Sequence, residues 1–241
     1  MYSIKETEDK MEESRFYIEP IARIYTGFPE KFGIPRQSGL VKELTGKIVF
    51  EKKYRRPEAV RGLEDFSHIW LIWRFENDVS DEFRPTVRPP RLGGNERIGV
   101  FATRSPFRPN ALGLSCVKLE RIDMYDGDAP AIYVSGIDML DKTPIIDIKP
   151  YIPMADLHPD AAEGYTETTK EHSLDVVFEN GTDGNVPDDI LSAITGILSN
   201  DPRPGYADDP EKIYGLTYSG YDVGFCSDGK AVFVKRINRI Y

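Results

Sequence analysis

The stretch FSHIWLIWRFEN, residues 66–77, places the strongest constraint on what this chain can fold into. One parity carries Ile69, Leu71, Trp73 and Phe75; the other carries Phe66, His68, Trp70 and Ile72. A run that is apolar on both faces at a period of two is a strand covered on both sides, at the centre of a structure rather than at its edge. Around it, most of the first 150 residues read as further short strands: YIEPIARIYTGF, GKIVFEKKY, ERIGVFATRS, LSCVKLERI and AIYVSGIDML. Gly93-Gly94-Asn95, Pro109-Asn110 and Asp126-Gly127-Asp128 supply the turns between them. Many short strands with almost no helical periodicity argue for an antiparallel barrel or sandwich.

Beyond about residue 160 the pattern changes. HSLDVVFEN alternates as a strand, with Leu174, Val176 and Phe178 on one face. Pro187 then opens a helix that lines up Ile190, Ile194, Ile197 and Leu198, and DPRPGY stops it. GYDVGFCSDGKAVFVKRI reads as a hairpin with Asp228-Gly229 in the turn. The expected organisation is a flexible charged leader over residues 1–16, a β-rich domain over 17–160 and a small α+β domain over 161–241.

Charge is divided unevenly. The whole chain carries a net −9, which argues against wholesale nucleic-acid binding. Yet residues 84–110 hold six arginines, no lysine and one acid, Glu96, whereas residues 156–228 hold 16 acids against Lys170, Arg203 and Lys212. A basic stripe on an acidic protein points to a localised polyanion site. Its restriction to arginine suits phosphate forks and base stacking, which planar guanidinium serves better than ammonium. No apolar run approaches the roughly 20 residues of a membrane helix, and Cys116 and Cys226 lie far apart with no CxxC spacing. Reduced cysteines and a cytoplasmic location are the expectation. His68, His158 and His172 show no metal-ligand spacing, so no metal is expected.

Four polar clusters interrupt the strands. They are Pro35-Arg36-Gln37, Glu76-Asn77, the run RPTVRPPRLGGNERIGVFATRSPFRPN, and SGIDMLDKTPIIDIKPYIP. In the third, Val100-Phe101-Ala102 reads as the end of a strand, followed by a loop stiffened by Pro106 and Pro109 that presents Arg104, Arg108 and Asn110. Ser105 and Ser115 have no His and Asp at a suggestive spacing, and neither GxSxG nor a P-loop occurs. Rigid polar loops on a β scaffold are a common way to build a binding site.

The segments PRQSGLVK, AVRGLEDFSHIWLIWRF, RPTVRPPRLGGNERIGVFATRSPFRPNALGLS and LDKTPIIDIKPYIP closely resemble the TsaA-like family, tRNA methyltransferases that use S-adenosylmethionine. The likeness runs from residue 17 to about 160 and resumes at DPRPGY. It implies a single-sheet antiparallel β-barrel with a small C-terminal α+β domain, a homodimer, and methylation of N6 of N6-threonylcarbamoyladenosine next to the anticodon. By the same resemblance, S-adenosylmethionine would contact Pro35, Arg36, Gln37, Glu76, Asn77, Arg104, Leu114, Ser135, Gly136, Ile137 and Asp138. Arg84, Arg88, Arg91 and Arg97, with Arg108, Asn110 and Lys149, are expected at the RNA. A base that removes the N6 proton would be Asp138, Asp147 or Tyr151, and the sequence does not choose among them. Two positions depart from the family pattern: Lys142 stands where the family has glycine, and Ala111 where it usually has proline. If the first needs a positive φ, Lys142 is strained. The reading from a different class is a non-catalytic regulatory module that binds S-adenosylmethionine or RNA on the same barrel.

Overall fold

The computed structural model describes residues 17–76, 83–89, 96–125, 127–169, 173–204 and 209–240. Six strands close into an antiparallel barrel: β1 (Ala22–Thr26), β2 (Thr45–Phe50), β3 (His68–Arg74), β6 (Leu112–Asp123), β7 (Ala131–Ser135) and β8 (Thr143–Pro150). Their order around the barrel is β1-β2-β7-β6-β3-β8, with β8 returning to β1. The single-sheet barrel expected from the sequence is therefore what the chain forms. Alternation explains it: Ile69, Leu71 and Trp73 of β3, Ile24 of β1, Ile48 of β2 and Val117 of β6 are all buried and fill the interior.

β3 pairs with β6 on one side and β8 on the other. Its outer parity is covered in part, with Trp70 half-buried against the ring of Tyr151 at 5.8 Å. In a closed barrel every strand has two neighbours, so the doubly apolar pattern marks a covered strand and not a privileged central one.

One expected strand does not form. Of ERIGVFATRS, two residues extend as β5 (Ile98–Gly99), pairing with β4 (Thr86–Val87) in a separate two-stranded ladder. Val100, Phe101 and Ala102 are a 3-10 turn. Pro85, Pro89, Pro106 and Pro109 withhold backbone donors, so this segment, an arm of the fold, adds no strand to the barrel.

After β8 come the one-turn helix α1 (Pro153–Asp156), β9 (Asp175–Phe178), helix α2 (Asp188–Ser199), β10 (Tyr214–Tyr218), β11 (Tyr221–Ser227) and β12 (Ala231–Arg239). The second sheet runs β10-β11-β12-β9, with β9 parallel to β12. Ala193, Ile194, Ile197 and Leu198 are the buried stripe of α2. Arg203 of DPRPGY is buried, donating to both carboxylate oxygens of Asp201 at 2.8 and 2.9 Å and to the carbonyl of Ser227 at 2.8 Å. It fastens the chain after α2 to the end of β11.

The loop from β1 to β2 ties the two sheets together. The Phe28 ring packs on Tyr218 at 5.0 Å, and Phe32 packs against both Tyr214 and Phe225, each at 6.3 Å. Gly33 has φ +93, and a Cβ there would fall 2.1 Å from Cδ1 of the fully buried Leu216. Only glycine permits that approach.

Candidate active site

The loops at one end of the barrel enclose a cleft of about 1570 Å³, larger than the roughly 300–1000 Å³ that a small ligand fills. Its walls come from seven places: residues 31–37 of the β1–β2 loop, the end of β3, the β4–β5 arm, residues 103–108, the start of β6 at residues 112–114, the turn between β7 and β8, and Tyr165 with Thr166. Two of these walls are pinned together by backbone. The Gly39 amide donates to the carbonyl of Gly136, and the Gly136 amide to that of Leu44, both at 2.8 Å. Gly136 sits at φ +73, where a Cβ would meet the Gly39 backbone at 3.3 Å.

Asp138 follows and points into the cleft. Its Oδ1 accepts the Ser115 hydroxyl at 2.6 Å, and Ser115 Oγ in turn accepts the Trp73 indole N–H at 2.9 Å. Ser115 and Trp73 are both buried. Burial pushes the Asp138 carboxyl up from 3.8 to about 6, against the pull of the Ser115 hydroxyl, the amides of Asp138 and Ser38, and the Arg104 guanidinium. Such a group is largely ionised at neutral pH, yet basic enough to take a proton. The indole reaches Ser115 because β6 has glycine opposite it: a Cβ on Gly113 would lie 2.2 Å from the Trp73 ring.

The cleft brings together most of the residues expected at the methyl donor. Pro35, Arg36, Gln37, Glu76, Arg104, Leu114 and Asp138 all line it. Arg104 donates to Oε1 of Gln37, which joins two separate loops, and Glu76 meets Arg23 at 3.4 Å. Ser135, Gly136 and Ile137 are not lining residues. Ser135 is buried and donates to Glu120 Oε1 at 2.5 Å, and Ile137 lies in the core. These three shape the turn that presents Asp138. Asn77 lies outside the described residues.

Arg84, Arg88, Arg97 and Arg108 also line the cleft. Arg97 donates to Thr86 Oγ1 and Arg108 to the Thr103 carbonyl, both at 3.1 Å, so each also braces its own loop. Among the described residues, no carboxylate forms an ion pair with Arg84, Arg88, Arg97, Arg104 or Arg108. Arg91 lies outside the described residues, and Asn110 is exposed in a turn away from the cleft lining.

The remaining residues sit elsewhere. Asp147 pairs with Lys149 at 2.9 Å, and Tyr151 packs on His68 and Trp70; none of Asp147, Lys149 and Tyr151 lines the cleft. Of the three candidate bases, Asp138 alone is in it. Lys142 has φ 64, the left-handed conformation that the family's glycine would suit, and its carbonyl accepts Arg23 Nη1 at 2.9 Å. Ala111 has φ 48, a conformation closed to proline, so the replacement there changes the backbone and is more than a small substitution.

Sequence reasoning missed Ser115 and Trp73 as site residues. A signal existed: Ser115 falls on the inward parity of β6 with Val117 and Leu119, and a polar side chain on a barrel's inner face needs a partner.

Comparison with known proteins covers both sheets. Residues 23–157 match the model of the tRNA-methyltransferase O N-terminal domain, and residues 175–240 that of the TrmO C-terminal domain. The tRNA (adenine(37)-N6)-methyltransferase of Escherichia coli (strain K12) is 40% identical over 216 residues, which span 86% of this chain and 89% of that protein. A putative S-adenosylmethionine-dependent methyltransferase of Pseudomonas aeruginosa, RcsF, is 39% identical over 215 residues, 86% of this chain and 90% of its own. A solved structure titled as that of TrmO superposes with a TM-score of 0.74 at 31% identity, covering 92% of this chain and 99% of its own.

Proposed function

The chain belongs to the tRNA-methyltransferase O family, and on that premise we propose that it methylates N6 of adenosine 37 in tRNA carrying a threonylcarbamoyl group there, with Asp138 as the base. It is a tRNA methyltransferase, and its methyl donor is S-adenosylmethionine. One observation carries the reading of the site. The ionisable, deeply set Asp138 and the arginine arm face the same cleft, so a proton acceptor and a cationic surface for a polyanion meet where a base can enter.

The residues present fit the donor. Asp138 and Glu76 offer carboxylates to a sulfonium, an ammonium or a ribose diol; Arg36 and Arg104 offer guanidinium to a carboxylate; and Leu114, 51% exposed, offers apolar surface to a purine. When bound, S-adenosylmethionine supplies a methyl group already activated on sulfur. The chain then aligns and deprotonates. Its loops would orient the N6 nitrogen toward the donated methyl group, and Asp138 would take the N6 proton that the transfer displaces.

The threonylcarbamoyl requirement follows from the same chemistry. An acylated N–H is within reach of a carboxylate base, whereas the amino group of plain adenosine is not. The threonine carboxylate also gives an arginine of the arm something to hold. A homodimer is part of the proposal. Its support is the family likeness together with the exposed Ile152, Met154 and Leu157 around α1, and light scattering that returned the mass of one chain would remove it. The domain division at about residue 160 stands on the same family likeness.

Transfer of labelled methyl from S-adenosylmethionine to tRNA tests the reading. Transfer to tRNA bearing the threonylcarbamoyl group, and little to an unmodified transcript, is the expected result. Equal transfer to both overturns the substrate form. No transfer to either, with S-adenosylmethionine still bound, leaves a binding module.

A further inference from the structure

Three phenylalanines around the cleft are left unexplained by the donor site. Phe83 is 54% exposed, Phe101 71% and Phe107 43%. Phe83 and Phe107 line the cleft. Phe101 lies beside Phe83, with ring centroids 6.2 Å apart and planes 26° from parallel. These rings are held, not trailing. The Val100 amide donates to the Pro85 carbonyl at 2.9 Å, the β4–β5 ladder joins the two segments, and the Val100 side chain next to Phe101 is buried. The Phe107 amide donates to Ser105 Oγ at 3.3 Å.

Large aromatic faces kept in solvent cost stability unless something covers them. Here they alternate along the chain with Arg84, Arg88, Arg97, Arg104 and Arg108. Aromatic faces that accept bases, interleaved with cations that track phosphates, are how proteins hold single-stranded nucleic acid. A paired helix offers no base faces, so the partner that fits is an unpaired stretch with its bases splayed.

We propose that Phe83, Phe101 and Phe107 form a stacking shelf for the unpaired bases that flank the target adenosine in the RNA. The inference rests on reading the cleft as the tRNA site, and it adds a division of labour. The arginines take the phosphates and supply salt-dependent affinity. The shelf takes the base faces and supplies affinity that salt hardly touches. It also selects for an open loop, because stacked bases must first leave their neighbours.

The test uses the full chain, tRNA bearing the threonylcarbamoyl group, and binding measured across a salt series. Phe101→Ala alone, and with Phe83→Ala, is expected to weaken binding about fivefold to a hundredfold per base lost. The slope of affinity against salt should stay as in the wild type, and S-adenosylmethionine affinity should not move. Phe101→Trp should restore binding. Because Phe101 is so exposed, the single variant tests the shelf without disturbing the core. Unchanged tRNA affinity in both variants overturns the proposal. So does weaker binding accompanied by a change in molecular mass by light scattering, which would make the shelf a contact between copies of the chain. Wild-type protein that binds S-adenosylmethionine but not tRNA would overturn the functional reading itself. Wild-type methylation with undiminished variants overturns the shelf alone.

Discussion

The two rims of the cleft are built differently. The rim with Pro35, Arg36 and Gln37 belongs to a loop wedged against the second sheet by Phe28, Phe32 and Gly33, and bonded to Gly136 across the barrel mouth. The rim with Arg84, Arg88 and Arg97 hangs on a ladder of two residue pairs, Thr86 with Gly99 and Val87 with Ile98. The first is preorganised by packing and the second by a minimum of backbone. The contrast suits the two partners. A small donor needs fixed groups at fixed distances, whereas a nucleic acid needs a surface that can settle against a flexible loop.

Asp138→Asn gives the largest test of that contrast. It is expected to cut methyl transfer by about 10²- to 10⁴-fold, while tRNA affinity stays within a few-fold. In the wild type, activity should rise with pH and level off above about 6, as the carboxylate loses its proton. Arg104, Arg36, Glu76 and Asp141 share the cleft with it, and Arg104 is the charge that acts on it most. The stability effect has the opposite sign. The folded carboxyl holds its proton more tightly than the unfolded one at 3.8, so its stabilising contribution is complete below that pH and is lost as pH rises through about 6. Asp138→Asn should therefore be the more stable protein above that pH, by on the order of 3 kcal/mol. A variant that keeps its activity would move the base elsewhere and break the assignment of the rigid rim to chemistry.

Gly33→Ala addresses the brace directly. It should lower transfer roughly tenfold by shifting the donor loop, and reduce the melting temperature by about 2–4 °C for each kcal/mol of strain. The salt dependence of tRNA binding should be untouched. If donor affinity and transfer survive while stability falls, the second sheet supports the fold and not the site.

Arg88→Ala is the smallest and sharpens the other side. It should flatten the slope of log affinity against log salt by about 0.7, the value for one phosphate contact on a single strand. Donor affinity should be unchanged. An unaltered slope would remove Arg88 from the RNA surface.

The barrel was legible because alternation survives a closed sheet: inward Ile69, Leu71 and Trp73 and outward Trp70 and Ile72 follow parity without interruption. Helix α2 was legible from Ile194, Ile197 and Leu198. Where parity breaks, the reading broke with it. Ile72 pairs with Asp147 and Trp73 with Ile145, so β8 carries an extra residue at Ile146, and the sequence did not separate Asp147, Lys149 and Tyr151 from the cleft. The short ladder of the arm was misread as a full strand because apolar Val100, Phe101 and Ala102 follow it, although the first is buried and the other two face solvent. Ser115 on β6 and Asp138 in the turn between β7 and β8 lie 23 residues apart, and only barrel closure makes them partners.

The wedge of Phe28, Phe32 and Gly33 also bears on how the chain holds together as a whole. The buried side chains form one continuous cluster, from Ile24, Ile48 and Leu71 in the barrel through Phe28 and Leu44 to Leu216, Phe225 and Val232 in the second sheet. Two segments that match separate family models are thus expected to melt in one cooperative transition, and a ligand gripped by the barrel mouth is expected to slow amide exchange in the strands farthest from it.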